Sequence, residues 1–366
     1  MTLAEQLALH TREGELYESL EGNRIRCLAC GHRCPIPSGF AGVCKVRFNR
    51  GGKLLVPYGY VNALQSDPIE KKPFFHALPG TRALSFGMLG CDLHCGYCQN
   101  WVSSQALRDI GSSLDIREIE PAEIVSLAVR SKASSVISTY NEPLITSEWA
   151  VAVFRTARCV GLATGFVSNG NATPQVLEYL RPWVDLYKVD LKSFDDRRYH
   201  ELGGRLQPVL DSIARIHAMG LWLEIVTLIV PGFNDSQAEL EALTGFIAGL
   251  SPDIPWHVSA FHPDYKMTGP GATPVETLER AVAIGRAAGL RYVYAGNLRG
   301  RVGELENTIC PGCRTLLVER YGFEVIQNRI TANETCPRCQ RAIPGYWRPG
   351  LQRAGENGIT IQNRCG

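Results

Sequence analysis

The sequence has almost no surplus of charge: 38 Lys and Arg stand against 36 Asp and Glu, a formal net charge of +2. Nothing in that balance demands a polyanionic partner. The opening residues, MTLAEQLALHTREGELYESL, have no basic segment followed by an apolar run and a small-residue cleavage site, so a soluble, cytoplasmic protein is the expectation. The most apolar stretch, Leu221 to Val230, is interrupted by Glu224 and is far too short to cross a bilayer. There is no Walker loop, no G-x-G-x-x-G and no H-E-x-x-H, which leaves kinase-like, nicotinamide-dependent and zinc-protease readings without support. Solenoid repeats and low-complexity tracts are absent as well. What the chain does have is apolar material: 45% of its 366 residues, enough for a large core in two domains or in one barrel with appendages.

It also has thirteen cysteines. In a soluble chain, cysteines in clusters point to metal or catalysis rather than to disulfides. One group is Cys27, Cys30, Cys34 and Cys44; a second is Cys91, Cys95 and Cys98; a third is Cys310, Cys313, Cys336 and Cys339. Cys159, inside a helical pattern, reads as a small buried hydrophobe, and Cys365 as a free tail thiol without a role. The groups suggest three parts: a Cys-rich module with its connector over residues 1–80, a central region over 81–304, and a Cys-bearing tail over 305–366. The segment YGYVNALQSDPIEKKPFFHALPG, with Pro68 and Pro73 each following a charged residue, reads as an irregular surface connector.

From about Arg82 strand and helix patterns alternate. Strands are expected at 82–89, 134–140, 163–168, 185–191, 221–230, 256–261 and 291–295. Helices are expected at 121–131, 147–160, 174–181, 207–219, 236–249 and 274–288. Pro121 and Pro174 suit first-turn positions, and Thr173 suits an N-cap. Six such pairs and a last strand make a parallel α/β sheet, doubly wound or curled as a full or partial barrel.

Cys91, Cys95 and Cys98 follow the first of these strands in GMLGCDLHCGYCQNW, and functional groups collect at the carboxyl ends of parallel strands. Three thiolates around a four-iron cluster leave one iron without a protein ligand, a position that a substrate or cofactor can chelate. The other reading of the spacing is three structural cysteines, or a zinc site that borrows His94. In the fourth strand, DLYKVDLK, alternation puts Lys188, Asp190 and Lys192 on one face and Tyr187, Val189 and Leu191 on the other. Three charges facing a barrel interior are costly unless they pair or bind something polar. Glu224 sits in an apolar run, to pair with one of the lysines or to line the substrate pocket. His257 and His262 fall on opposite faces of their strand, so only one is expected inside.

C-x3-C-x-aromatic-C, with Tyr97 as the aromatic, resembles the signature loop of the radical S-adenosylmethionine (SAM) superfamily. The resemblance implies that Cys91, Cys95 and Cys98 hold a [4Fe–4S] cluster whose unique iron takes the amino and carboxylate groups of SAM. It implies reductive cleavage of SAM to methionine and a 5′-deoxyadenosyl radical that removes hydrogen from a substrate. Asn141 and Glu142, in STYNEP, resemble the segment that holds the SAM amino group. Ser168 and Asn169, in VSNG, resemble the T-N-G turn of activating enzymes for glycyl-radical proteins; where those enzymes carry an Asp before the turn, this chain has Val167. Asp190 and Lys192 match their D-x-K pair, and His262 their SAM-contacting His. The order R-C-x-x-C-x3-C, DPIEKKP, GCDLHCGYCQNW, TYNEP, DLK, IPWHVSAFHPDYKM, YVYAGN, C-P-x-C and IPGYW is similar to the radical SAM enzyme of the AmmeMemoRadiSam system, itself similar to pyruvate formate-lyase activating enzyme. That implies a partial (β/α)6 barrel of TIM type with small Cys-rich metal-binding appendages at both ends, a flavodoxin- or ferredoxin-type electron donor, and the system's other two proteins as partners. It names no substrate.

In the tail, two C-x2-C knuckles separated by 22 residues come close to a zinc ribbon. Four thiolates close a tetrahedral zinc and leave no open position; a rubredoxin-like iron uses the same ligands. The amino-terminal C-x2-C-x3-C-x9-C suits zinc or an auxiliary [4Fe–4S] cluster, with zinc the expectation. A non-enzymatic iron–sulfur or zinc scaffold is the competing function; it predicts metal without SAM affinity. No membrane or nucleic-acid partner is expected.

Overall fold

The computed structural model describes residues 3–108 and 115–348. Cys365 lies outside them. Seven strands, Arg82–Gly87, Ala133–Ser138, Ala163–Ser168, Leu186–Asp190, Trp222–Ile229, Trp256–Ala260 and Val293–Gly296, run parallel and neighbour one another in sequence order. An order that never reverses is not doubly wound, because a doubly wound sheet reverses at its switch point. Right-handed crossovers between such neighbours send the helices to one side. Among the described residues no ladder joins the last strand to the first, so the barrel is open.

Helices Pro121–Arg130, Ser147–Cys159, Pro174–Leu180, Leu206–Ala218, Gln237–Leu250 and Val275–Ala287 alternate with these strands. Their starts follow local chemistry. Pro121 and Pro174 occupy first-turn positions, where a missing N–H costs nothing. The Thr173 hydroxyl accepts from the Val176 N–H at 3.1 Å, and the Ser236 hydroxyl from the Glu239 N–H at 3.3 Å. Along the fourth strand Tyr187, Val189 and Leu191 join the large core under the helices. Leu186, facing the other way, joins Ala83, Ile137 and Ala163 inside the barrel.

The connector is not an irregular surface segment. Ala63–Pro68 adds an eighth strand, antiparallel to the first. Beyond it Ile69, Phe74 and Ala77 are fully buried against the inward residues of the parallel strands. An open barrel built with Ala83 and Ala163 at its amino end leaves a hollow there, and these side chains fill it. Pro68 and Pro73 end local structure but do not decide burial.

The amino-terminal module consists of two small antiparallel sheets, Thr11–Glu13, Lys53–Pro57 and Phe48–Arg50 in one, and Tyr17–Leu20, Arg24–Cys27 and Pro35–Ile36 in the other. Ile25, Ile36, Leu54 and Val56 merge with the barrel core. A buried bidentate pair fastens the module: Arg47 donates to the Glu148 carboxylate at 2.7 and 2.8 Å. Burial raises the pKa of Glu148, but the Arg47 charge and hydrogen bonds outweigh it and hold the carboxyl below its ordinary range.

The tail forms a three-stranded antiparallel sheet, Thr308–Ile309, Leu316–Tyr321 and Glu324–Asn328. It docks on the connector, where the Tyr346 N–H donates to the His76 carbonyl at 2.7 Å and the Leu78 N–H to the Tyr346 carbonyl at 2.9 Å. Cys159 departs from expectation: it is exposed at the last turn of its helix. Helical periodicity there puts Ala157, not Cys159, into the core.

A three-thiol site at the carboxyl ends of the strands

The first strand ends at Gly87, and the loop that follows carries Cys91, Cys95 and Cys98 as free thiols. Cys95 is buried and the other two are half-buried, packed with Leu202, Val230, Phe233 and Phe261 from loops and strand ends across the barrel mouth. Burial pushes the Cys95 thiol up to about 11, against the pull of the Lys192 ammonium. Burial also drives Cys91 well up, helped by the Asp92 and Glu142 charges. Such thiols hold their protons at neutral pH until a metal replaces them.

The loop is pinned from behind. Arg108 donates to the carbonyls of Leu93 and Cys91, both at 2.9 Å. The Cys98 sulfur lies 3.1 Å from the Ser104 hydroxyl. His94 stands apart, against the turn at Gly203: with φ +84° that residue needs glycine, and a Cβ there would meet the His94 ring at 2.2 Å.

Asp92 is a residue that sequence reasoning missed. Its fully buried carboxylate accepts from the Asn169 side chain at 2.7 Å and from the Asn171 side chain at 2.8 Å. The signal was a lone acid in the middle of the signature loop. Beside it, Glu142 accepts from the Ser168 hydroxyl and the Asn169 N–H, both at 2.7 Å, and from the Leu144 N–H at 3.0 Å. Burial, then the Asp92 charge, pushes the Glu142 carboxyl up to about 8. The Asn141 side chain accepts from the Met88 N–H at 3.0 Å. Asn141, Glu142, Ser168 and Asn169 therefore meet around the root of the cysteine loop, with their side chains already engaged.

On the fourth strand the expected charged row is present. Lys188 donates to one Asp190 oxygen, and the Lys192 ammonium stands 3.7 Å from the other. Burial raises the pKa of Asp190, but the two lysine charges outweigh it and hold the carboxyl below its ordinary range. Lys192 is held charged: burial opposes this, and the Asp190 charge outweighs it. Tyr97 packs edge-on against Phe233 with ring centroids 5.6 Å apart. Its hydroxyl is buried without a hydrogen-bond partner. His262 is exposed at the rim, where the Gln99 side chain donates to its Nε2 at 3.0 Å.

Glu224 belongs elsewhere. It lies near the amino end of its strand, accepts from the N–H groups of Phe75 and His76 at 2.9 Å each, and meets His257 Nε2 at 2.7 Å. It points inward, as alternation implied, but neither pairs with a lysine nor reaches the cysteine end. His257 is the inward histidine of its strand.

In the tail, Cys310 and Cys339 lie 3.6 Å apart and Cys313 and Cys336 3.5 Å apart. All four sulfurs fall within 4.8 Å of one another, a cage that could hold a metal. Each knuckle closes on a left-handed residue, Arg314 (φ +62°) and Gln340 (φ +59°). Their N–H groups each donate back at 3.0 Å, to the carbonyls of Cys310 and Cys336. Among the described residues no helix is long and apolar enough to cross a membrane.

Fold and site together define a protein built on an open parallel (β/α) barrel, with a three-thiol loop at the carboxyl ends of its strands. A family model described as the radical SAM superfamily matches residues 87–243. An uncharacterized protein of Methanocaldococcus jannaschii is 38% identical over 335 residues, 91% of this chain and 98% of that one. The pyruvate formate-lyase-activating enzyme of Staphylococcus aureus is 26% identical over 239 residues, 61% of this chain and 92% of that enzyme. A radical SAM methyltransferase from Sphaerobacter thermophilus superposes with a TM-score of 0.48 at 17% identity, over 60% of this chain and 67% of that one, a likeness too distant to bear on function. Residues 87–243 thus carry a radical SAM domain.

Proposed function

We propose that this chain is an enzyme that cleaves SAM reductively and directs the resulting radical at a substrate held in the barrel mouth. The observation that carries the reading is the conjunction of three free thiols on one loop with a buried, unpartnered Tyr97 hydroxyl and a charged row on the adjoining strand end. That donor set fits a [4Fe–4S] cluster with SAM: three thiols for four irons, and polar groups left over for a bound molecule. When bound and reduced by an external donor, the cluster would supply the one electron that splits SAM into methionine and a 5′-deoxyadenosyl radical.

The chain's own residues do the rest. Cys91, Cys95 and Cys98 would hold the cluster through their three thiolates. Asp190 and Lys192 bind the polar end of SAM. The row Lys188, Asp190, Lys192 has one positive charge in excess, which suits a carboxylate. Tyr97 offers its hydroxyl from the buried side. Asn141, Glu142, Ser168 and Asn169 hold the loop and the facing turn in register, and Gln99 with His262 forms the rim. Leu202, Val230 and Phe261 exclude water from the thiols, which protects a reactive intermediate.

The similarity to an activating enzyme and the run from DPIEKKP to FHPDYKM support an activase-like hydrogen abstraction within the AmmeMemoRadiSam system, fed by a flavodoxin- or ferredoxin-type donor. The tail cage, closed by four thiolates, suits structural zinc. The test is anaerobic reconstitution, addition of dithionite and SAM, and quantification of 5′-deoxyadenosine. Product from the native chain and none from Cys98→Ala is the expected result. A native chain with neither cluster nor SAM binding would sink the proposal.

A further inference from the structure

We propose that the amino-terminal quartet, Cys27, Cys30, Cys34 and Cys44, holds a second [4Fe–4S] cluster and not a zinc ion. Cys27, Cys30 and Cys44 are buried, Cys34 is half-buried, and all four are free thiols. They come from one short module: the Cys27 N–H donates to the Cys34 carbonyl at 3.0 Å, and Arg24–Cys27 pairs with Pro35–Ile36.

Spacing discriminates between the two metals. A tetrahedral zinc with bonds of about 2.3 Å draws its sulfurs to roughly 3.8 Å from one another. The tail quartet has that geometry, at 3.5 and 3.6 Å. Among the described residues it is the sole group of three or more Cys, His, Asp or Glu whose ligand atoms all lie within 4.8 Å of one another. The amino-terminal quartet does not meet that condition, and neither does the Cys91, Cys95, Cys98 triad. A four-iron cubane takes one thiolate at each corner iron, so its sulfurs stand farther apart than those around a single ion. By this measure the quartet resembles the triad and differs from the tail.

Position is the second observation. His32, two residues after Cys30, reaches the Asp92 carbonyl at 3.2 Å. One Arg108 nitrogen donates both to the carbonyl of Val43, the residue before Cys44, at 2.8 Å and to the carbonyl of Cys91 at 2.9 Å. A single guanidinium thus spans the two thiol sites. Four thiolates for four irons leave no open iron, so the quartet's cluster is closed, an electron-carrying neighbour of the open one.

Treating the triad as the spacing standard rests on the function proposed above, and the experiment separates the two. The full chain is reconstituted anaerobically with iron and sulfide, and iron and zinc are counted per chain. The triple variant Cys91→Ala/Cys95→Ala/Cys98→Ala and the double variant Cys30→Ala/Cys34→Ala are treated alike. About eight irons and one zinc are expected in the native chain, and about four irons in each variant. In the triple variant those irons give an electron paramagnetic resonance signal after dithionite. About four irons and two zincs in the native chain, with no iron in the triple variant, overturn the inference and leave the triad's cluster standing. About four irons in both native and triple variant keep the inference and remove the triad's. Should the triple variant fail to fold, the double variant decides: about four irons fewer than in the native chain keeps the inference, and an unchanged iron count overturns it.

Discussion

His76 is the point at which connector, barrel and tail meet, and it should make the fold acid-sensitive. Its ring is fully buried. Nδ1 lies 2.7 Å from the Pro344 carbonyl, which can only accept, so the neutral ring carries its proton on Nδ1. Nε2 then accepts from the Tyr294 hydroxyl at 2.6 Å. Burial pushes the imidazole down to about 4 from 6.5; the Glu224 carboxylate opposes this, and the Arg320 and His257 charges add to it. The unfolded ring takes up its proton as pH falls through about 6.5, whereas the folded ring takes it up only near 4. Stability is therefore fully present above about pH 6.5 and is lost as pH falls from there to about 4. The gap of about 2.5 pH units, at about 1.4 kcal/mol each, amounts to about 3.5 kcal/mol, of which about 3 kcal/mol is lost by pH 4. His76→Asn keeps a donor towards Pro344 and removes the titration. It removes the His76 acceptor, and the Tyr294 hydroxyl can turn its proton to the Thr308 oxygen at 2.9 Å, so the fixed cost at every pH is about 1 kcal/mol. Urea unfolding followed by circular dichroism, run anaerobically on both proteins from pH 7.5 to 4, isolates the term. Acid effects on the metal sites are common to both and cancel. The wild type should lose about 3 kcal/mol more than the variant across the window; parallel curves would refute the reasoning.

Glu148→Gln leaves the Arg47 guanidinium buried without its counter-charge and should cost about 3–5 kcal/mol in urea unfolding, most of it recovered in Arg47→Met/Glu148→Leu. Asp190→Asn should weaken SAM binding at least tenfold by equilibrium dialysis while iron content stays constant; unchanged affinity would remove Asp190 from the SAM site. Cys336→Ala should release the tail's metal and lower the thermal midpoint while 5′-deoxyadenosine formation stays within a few-fold of native. An equal loss of cleavage would end the structural assignment of the tail.

Period and spacing carried the strand and helix order, because both are local. The alternation in DLYKVDLK put Lys188 and Asp190 on the inner face, as found, since a strand's two faces follow from its own residues. The three cysteines of the central loop were legible as a group because they stand close together in sequence, between Cys91 and Cys98. The same local reasoning went wrong where docking decided. The connector's prolines read as surface, yet Ile69 and Phe74 plug the barrel's amino end. Glu224 was assigned to the lysines or the substrate pocket, yet it serves the connector: it stands in register with Lys188, but Lys188 turns to Asp190 and the N–H groups of Phe75 and His76 take the Glu224 carboxylate. Asp92 was not singled out at all, because the groups that close over it, the side chains of Asn169 and Asn171, come from the turn after the third strand.

The sequence by itself determined the parallel α/β order and the three cysteine groups. Only the tertiary structure decided what those groups face: which sulfurs converge tightly, which carboxylates are walled in, and that Arg108 joins the amino-terminal module to the central loop. The reason is physical. Backbone pattern and ligand count are properties of short segments, whereas burial and charge pairing belong to surfaces that meet only after residues more than a hundred positions apart, such as Arg47 and Glu148, have been brought together.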